Sequence, residues 1–342
     1  MLIILQSILW ATVGTILDRE KLVDENSPRL LGRTLYWVGV PLQIFFLARK
    51  SNFDQIAIIP PLVTIAAIVI GLVLAVFIIE ILKQIIFASA TRIIPQNQIE
   101  GLFLSVGLSM PLSTRQFIYR ATPDDKQGIG SFVLASILGN TGFIGLALIP
   151  SFVDPNYWSW ILLYGVAHNV LGSYGIGVLI ADRYSPSGMK HKQFDWRNQL
   201  QNLLFLPSLW AFAYGYFSKD IVLPFAIETI VSKAVLLVVP GAFILIGMQL
   251  SRIQQWQNLS LGIVPAMLKT LIIPAIVGVL LTLLGLTGDA RLVLVLMSSM
   301  PTAFASIILA EEYNLDRQVA ACSILLSTLA SPLVIFIWLT IF

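Results

Sequence analysis

Long uninterrupted apolar runs are the feature that most restricts how this chain can fold. A helix needs about 20 apolar residues to cross the hydrocarbon core of a bilayer, whereas the strands of a membrane barrel alternate over about ten residues. The composition agrees, with 57% hydrophobic and 11% charged residues against about 25% charged in soluble domains. We therefore predict an all-α polytopic membrane protein with ten spans at about 1–17, 29–48, 56–82, 129–151, 157–181, 200–218, 223–250, 261–286, 290–310 and 318–341.

The basic residues between these spans predict the orientation of the chain. Fifteen Lys and Arg residues fall on one side of the membrane, and four fall on the other, namely Arg49, Lys50, Lys219 and Arg291. Cytoplasmic loops are enriched in Lys and Arg, so the first side is predicted to be cytoplasmic. Both termini are then predicted to lie outside the cytoplasm. The membrane is predicted to be a plasma (inner) membrane. The first run lacks a basic start and a small-residue cleavage site, which favours a retained helix over a signal peptide.

The two halves of the chain resemble each other. Residues 5–20 (LQSILWATVGTILDRE) align with 205–220 (FLPSLWAFAYGYFSKD), and 33–48 (RTLYWVGVPLQIFFLA) align with 232–247 (SKAVLLVVPGAFILIG). Each half has five spans, an odd number, so the second half must enter the membrane in the opposite orientation, as in many secondary transporters. We predict a first repeat at 1–182, a basic cytoplasmic linker at 183–199 and a second repeat at 200–342. The longer link 83–128 contains an interfacial or re-entrant stretch at 101–112.

The fourth span of each half carries a helix-breaking group near its centre. The first centres on Asn140, within IGSFVLASILGNTGFIGLALIP, and the second on Pro301, within RLVLVLMSSMPTAFASIILAEE. Interrupted helices at matching positions of two repeats point to a binding site, and a half-helix N-terminus favours an anion. The candidate solute-binding residues are Asn140, Thr141, Gly142, Gly145, Pro301 and Thr302, with Ser298 and Ser299 as polar lining. The alternative is a packing face, because small residues allow membrane helices to approach closely.

Three further polar residues lie inside predicted spans. Lys269 would need a counter-charge, a cavity or an anionic solute, unless it extends to the cytoplasmic surface. His168 and Asn169 are candidates for a proton relay or a polar lining. The alternative for His168 is a hydrogen-bonded packing role.

Several classes of function are disfavoured. The chain has no Walker motif, no HExxH or GxSxG motif and no paired intramembrane carboxylates, so we expect neither an ATPase nor another enzyme. Cys322 is the single cysteine and the chain has two histidines, so we expect no disulfide within the chain, no metal site and no cofactor. The net charge of +3 reflects cytoplasmic loops rather than nucleic-acid binding.

Three stretches resemble the auxin efflux carrier family of membrane permeases. They are LASILGNTGFIGLALI, residues 223–251 (LPFAIETIVSKAVLLVVPGAFILIGMQLS) and residues 297–333 (MSSMPTAFASIILAEEYNLDRQVAACSILLSTLASPL). The resemblance implies two inverted five-helix repeats with broken helices four and nine that cross, and a carrier of organic anions such as auxin or malate. It places the site on Asn140, Gly142, Gly145, Pro301 and Thr302, with Lys269 in addition. The Asn-Thr-Gly break, the longer 83–128 link and the short central loop indicate a microbial rather than a plant type.

The resulting hypothesis is a secondary active transporter of a small anionic solute that bears a carboxylate. It would move the crossover bundle against a scaffold of spans one, two, six and seven. Two alternatives stay open: a membrane sensor or scaffold protein built on a transporter fold, and a sodium-coupled bile-acid-type symporter. The expected partners are the solute, the lipid bilayer and a coupling ion, proton or sodium, and a homodimer is among the possible oligomeric states.

Overall fold

The computed structural model describes residues 2–53, 58–91, 112–186, 201, 204–252 and 258–342. Thirteen helices make up most of these residues. They are α1 (Leu2–Arg19), α2 (Ser27–Lys50), α3 (Ile59–Thr91), α4 (Leu112–Ala121), α5 (Lys126–Ile137), α6 (Thr141–Ser151), α7 (Pro155–Tyr184), α8 (Pro207–Phe217), α9 (Phe225–Ser251), α10 (Ser260–Leu283), α11 (Gly288–Ser298), α12 (Ala305–Glu312) and α13 (Arg317–Ile341). No strand is present in these ranges, so the predicted all-α class is confirmed.

Six of these helices are long and apolar enough to cross a membrane: α2, α3, α7, α9, α10 and α13. Their outer faces are strongly apolar. On α9, for example, Leu236 and Leu237 are more than two thirds exposed. Large exposed apolar surfaces are rare on soluble monomers and suit a lipid environment. The chain is therefore an integral membrane protein.

The other four predicted spans take different forms. The run 1–17 lies in α1, and the run 200–218 contains the short helix α8, which begins only at Pro207. The runs 129–151 and 290–310 are each divided into two shorter helices, α5 with α6 and α11 with α12. The predicted stretch 101–112 lies almost entirely outside the described residues. So does most of the predicted linker 183–199, although α7 extends to Tyr184 at its start.

Widened π-helical turns occur within three of the long helices. In α2 the turn Leu35–Gly39 precedes Pro41, and in α10 the turn Leu268–Ile272 precedes Pro274. Proline lacks an N–H group and clashes with the turn before it, so a wider turn relieves the crowding. The third turn, His168–Ile176 in α7, contains no proline. All three turns hold residues that matter for the site described below.

Glycines allow two pairs of helices to pack in close backbone contact. A Cβ atom on Gly14 of α1 would lie 2.1 Å from the Ile244 carbonyl oxygen of α9, and one on Gly215 of α8 would lie 2.8 Å from the Phe45 carbonyl oxygen of α2. Any larger residue would force these backbones apart. The pairs α1–α9 and α2–α8 therefore form two tightly fitted units beside the broken helices.

Candidate functional site

The two divided helices cross each other at their breaks. Residues 138–140 separate α5 from α6, and residues 299–304 separate α11 from α12. The two linking segments run antiparallel: the Asn140 N–H donates to the Pro301 carbonyl at 2.7 Å, and the Ala303 N–H donates to the Leu138 carbonyl at 2.9 Å. Each break thus satisfies backbone groups of the other, which is what allows irregular backbone at membrane depth.

Thr302 ties the crossing together through both of its donor groups. Its hydroxyl donates to the Ala135 carbonyl at 2.9 Å, and its N–H donates to the Ser327 hydroxyl at 3.0 Å. The first bond joins the second linking segment to the last turn of α5, and the second joins it to α13. Thr302 and Pro301, both expected to contact solute, therefore lie in the crossing and do not line the cavity described next.

A cavity of about 300 Å³ lies beside the crossing. It is enclosed by the crossing segments, by α7 and α12, and by α2 and the start of α8. Its lining is mostly apolar, with Asn140, Asn169, Ser173, Ser208, Tyr36, Tyr174, Tyr313 and Glu312 as the side chains that carry polar groups. This volume and this mixture of apolar walls with a few polar groups are typical of small-molecule sites.

Three of the predicted site residues line this cavity: Asn140, Gly142 and Asn169. Asn140 caps the start of α6, since its Oδ1 accepts from the Phe143 N–H at 3.2 Å. This cap uses the side-chain oxygen, and the same residue is part of the cavity lining. Asn140 thus belongs both to the break between α5 and α6 and to the wall of the cavity.

The other predicted residues lie around the crossing without lining the cavity. Gly145 packs against Met297, and the buried Thr141 hydroxyl has no partner among the described residues. The hydroxyls of Ser298 and Ser299 donate to carbonyls of their own helix α11, each at 2.8 Å. These bonds help to end the helix, and neither serine is among the residues that line the cavity.

His168 and Lys269 are buried against the crossing segments, and neither lines the cavity. His168 Nε2 lies 3.3 Å from both the Gly139 nitrogen and the Ile137 carbonyl oxygen, and its role as donor or acceptor depends on the tautomer. The Lys269 ammonium donates to the Ser298 carbonyl at 2.5 Å. Lys269 does not extend to the membrane surface, because only 3% of it is exposed.

A pair of tyrosines that line the cavity was not identified from the sequence. The hydroxyls of Tyr36 in α2 and Tyr174 in α7 lie 3.0 Å apart, although the two residues are 138 positions apart in the chain. The signal available was a tyrosine within each of the predicted spans 29–48 and 157–181, but nothing in the sequence pairs them. Glu312 and Tyr313 were missed as well, at the end of α12, where burial followed by the charges of Glu312 and Asp182 raises the pKa of Tyr313.

Among the described residues, no three His, Cys, Asp or Glu side chains converge to form a metal site. What the geometry provides is an apolar helical chain with two interrupted helices that cross beside a solute-sized cavity. That combination is typical of membrane transport proteins.

Comparison with known proteins agrees with this class. Residues 217–339 match the family described as membrane transport protein. The chain is also 25% identical, over 217 residues, to an uncharacterized transporter of Methanocaldococcus jannaschii, a match that covers 63% of this chain and 68% of that protein. The resemblance to the auxin efflux carrier family of membrane transport proteins is thereby confirmed, and the findings support a membrane transporter.

Proposed function

We propose that this protein is a secondary active transporter that moves a small organic anion by alternating access. The observation that carries the proposal is the position of the cavity, between the crossing segments on one side and α2 with α8 on the other. A cavity at the boundary between two groups of helices can be exposed to either side of the membrane when one group moves against the other. Such a protein moves its solute without changing it chemically, so no catalytic group is required.

Contacts between helices support an architecture of ten spans in two inverted repeats. If α5 with α6 and α11 with α12 each count as one interrupted span, α1 and α8 occupy equivalent positions, as do α2 and α9. The close contact of Gly14 with the Ile244 carbonyl then corresponds to that of Gly215 with the Phe45 carbonyl. The aligned stretches of the two halves are offset by 200 and 199 positions. The two glycines, and the two residues whose carbonyls they contact, are separated by the same offsets within two residues. We propose that these pairs form the scaffold and that the crossing helices move.

The chemistry of the cavity suggests the kind of solute. Its apolar walls suit a hydrocarbon body, and the Asn140 amide and the Ser173 hydroxyl can donate to a carboxylate. The first turn of α6 presents its partially positive end at the same place. Glu312 is the one charged residue among the described lining residues, so the carboxylate would be held by neutral donors and not by an ion pair. We therefore propose a monocarboxylate with an apolar body.

Charge distribution suggests the direction in which the cavity opens. With both termini outside the cytoplasm of a plasma membrane, Arg317 and the neighbouring end of α12 lie on the cytoplasmic side. Glu312, Tyr313 and Leu206 line that part of the cavity. The structure would then represent an inward-facing state.

The test is counterflow of radiolabelled monocarboxylates in proteoliposomes. Asn140→Asp keeps the oxygen that caps α6, so the helix should still form, but it removes the amide donor and adds a negative charge. We expect transport of the carboxylate to fall at least about tenfold, which corresponds to about 1.4 kcal/mol of lost interaction. Asn156→Ala, at an exposed position outside the cavity, is the matched control and should transport like the wild type.

Unchanged counterflow in Asn140→Asp would contradict the assignment of the site. Binding of carboxylates with no counterflow at all would contradict transport itself and would favour the membrane sensor.

A further inference from the structure

Lys269 is a buried basic side chain at the crossing of the two broken helices. It belongs to the widened turn Leu268–Ile272 of α10, and its ammonium donates to the Ser298 carbonyl, the last residue of α11. No carboxylate among the described residues lies within 4 Å of its nitrogen. A buried cation without a carboxylate partner must be stabilised by the oxygen atoms and dipoles around it.

Backbone groups of both broken helices surround the end of this side chain. A Cβ atom on Gly139 would lie 2.7 Å from Lys269 Cε, 2.9 Å from its Nζ and 3.3 Å from the Met300 carbonyl oxygen. Gly139 belongs to the first linking segment, and Met300 belongs to the second. The ammonium is therefore inserted at the crossing itself, in space that the missing side chain of Gly139 provides.

The end of α11 carries partial negative charge. The last carbonyls of a helix lack intrahelical partners, and the helix dipole adds to their negative potential. In transporters with broken helices, such half-helix ends and unwound carbonyls coordinate the coupling sodium ion or proton. A lysine ammonium has the same charge as a sodium ion. Its N–H groups can donate to the same kind of carbonyl oxygen that coordinates sodium.

The end of α5 is satisfied in another way. Its Ala135 carbonyl accepts from the Thr302 hydroxyl, and the Leu138 carbonyl accepts from the Ala303 N–H. Neutral donors from the second linking segment thus serve this end. Of the two half-helix ends at the crossing, α11 is the one that receives a full positive charge.

We propose that the Lys269 ammonium takes the place of a coupling cation at the end of α11, so that this carrier assembles its binding site without sodium. The inference rests on the proposed transport function, because only a carrier has a coupling ion to replace. It assigns Lys269 the role of a positioning residue that holds the crossing, separate from the solute-binding groups of the cavity.

Sodium alone is the probe for the test, so no solute is needed. The full-length protein in detergent is unfolded thermally in NaCl, KCl or choline chloride at constant ionic strength. We expect the wild type to have the same Tm in the three salts, within about 1 °C. Lys269→Ala should have a lower Tm in choline, and 100 mM NaCl should raise it by about 3 °C or more, because an ion that binds only the folded state stabilises it.

Two further variants complete the design. Lys269→Arg keeps a positive charge and should remain insensitive to sodium. Lys233→Ala removes an exposed lysine of α9 and should also behave like the wild type. A sodium-specific rise in the Tm of the wild type would overturn the proposal, and this result needs no variant to fold.

A folded Lys269→Ala protein that sodium does not stabilise would overturn the proposal as well. Neither measurement depends on transport. Absence of counterflow would therefore refute the proposed function on its own, and a sodium response of the wild type would refute the role of Lys269 on its own.

Discussion

Gly139→Ala is the substitution that tests the geometry of the crossing most directly. Its methyl group would lie 2.7 Å from Lys269 Cε and 2.9 Å from Nζ. Restoring ordinary contact requires the side chain to move by about 0.7 Å, and the ammonium is already held at 2.5 Å from the Ser298 carbonyl. The φ angle of Gly139 lies outside the left-handed region, so the backbone itself accepts alanine and only the contact is tested.

The expected loss of stability follows from two opposing effects. Losing a hydrogen bond from a charged group costs about 1.5–3 kcal/mol, and overpacking a filled interior costs a similar amount. Alanine restricts the unfolded chain and returns about 0.4–1 kcal/mol. Since the side-chain displacement weakens the bond and does not abolish it, we expect a net loss of about 1–2 kcal/mol in the free energy of unfolding.

Gly142→Ala is the matched control, three residues further along the chain in the first turn of α6. Its methyl group would meet only the Asn169 amide nitrogen, at 3.4 Å, which is an ordinary contact. We expect this variant to unfold at the same temperature as the wild type or slightly above it. Because Gly142 lines the cavity, its effect should appear in solute affinity instead.

Thermal unfolding of both purified variants, followed by tryptophan fluorescence, gives the comparison. The reasoning requires Gly139→Ala to unfold several degrees below Gly142→Ala. If the two variants unfold at the same temperature, Lys269 has room to move and the crossing is looser than the structure shows.

Three other predictions concern the contacts between helices. Thr302→Val keeps the shape of the side chain and removes its hydroxyl bond to α5, so we expect a loss of about 1 kcal/mol in stability and a lower Tm. Gly247→Ala would place a methyl group 1.9 Å from the Ala11 carbonyl oxygen, so α1 and α9 must separate, and we expect a loss of about 3 kcal/mol or more and a poor yield of folded protein. The Arg252 side chain, through its hydrogen bond, holds the pKa of Asp18 below its usual value. Because the folded pKa is the lower one, this stabilisation is present above about pH 4 and is lost as the pH falls, and the Tm of Asp18→Asn should depend less on pH in that range.

The two packing predictions each have a control at the same site or in the same helix. Thr302→Ser retains the hydroxyl and should restore most of the Tm. Gly241→Ala, also in α9, places its methyl group 3.4 Å from a Leu35 methyl and should fold normally; equal yields of the two glycine variants would refute the close approach of α1 and α9. For Asp18, a wild-type Tm that does not change between pH 7 and pH 3.5 would contradict the contribution of the Arg252 contact.

The two helix breaks could be located from the sequence, but the roles of the residues around them could not be assigned. Asn140 and Pro301 were recognised because each interrupts an apolar run near its centre, and this signal is local. The sequence does not tell which of the neighbouring polar groups face a cavity and which hold the crossing. Thr302 and Ser298 have the same polar character as Asn140, yet their donors are engaged with backbone carbonyls.

The sequence by itself determined the all-helical membrane class, because the length of an apolar run and its fit to a bilayer are properties of adjacent residues. It also determined where two helices would be weakened. Only the tertiary structure decided that Lys269 contacts the crossing and that Tyr36 meets Tyr174 beside the cavity. Those contacts join residues that are 29 and 138 positions apart in the chain. The periodic pattern of residues within a single helix does not encode which residues of different helices will meet.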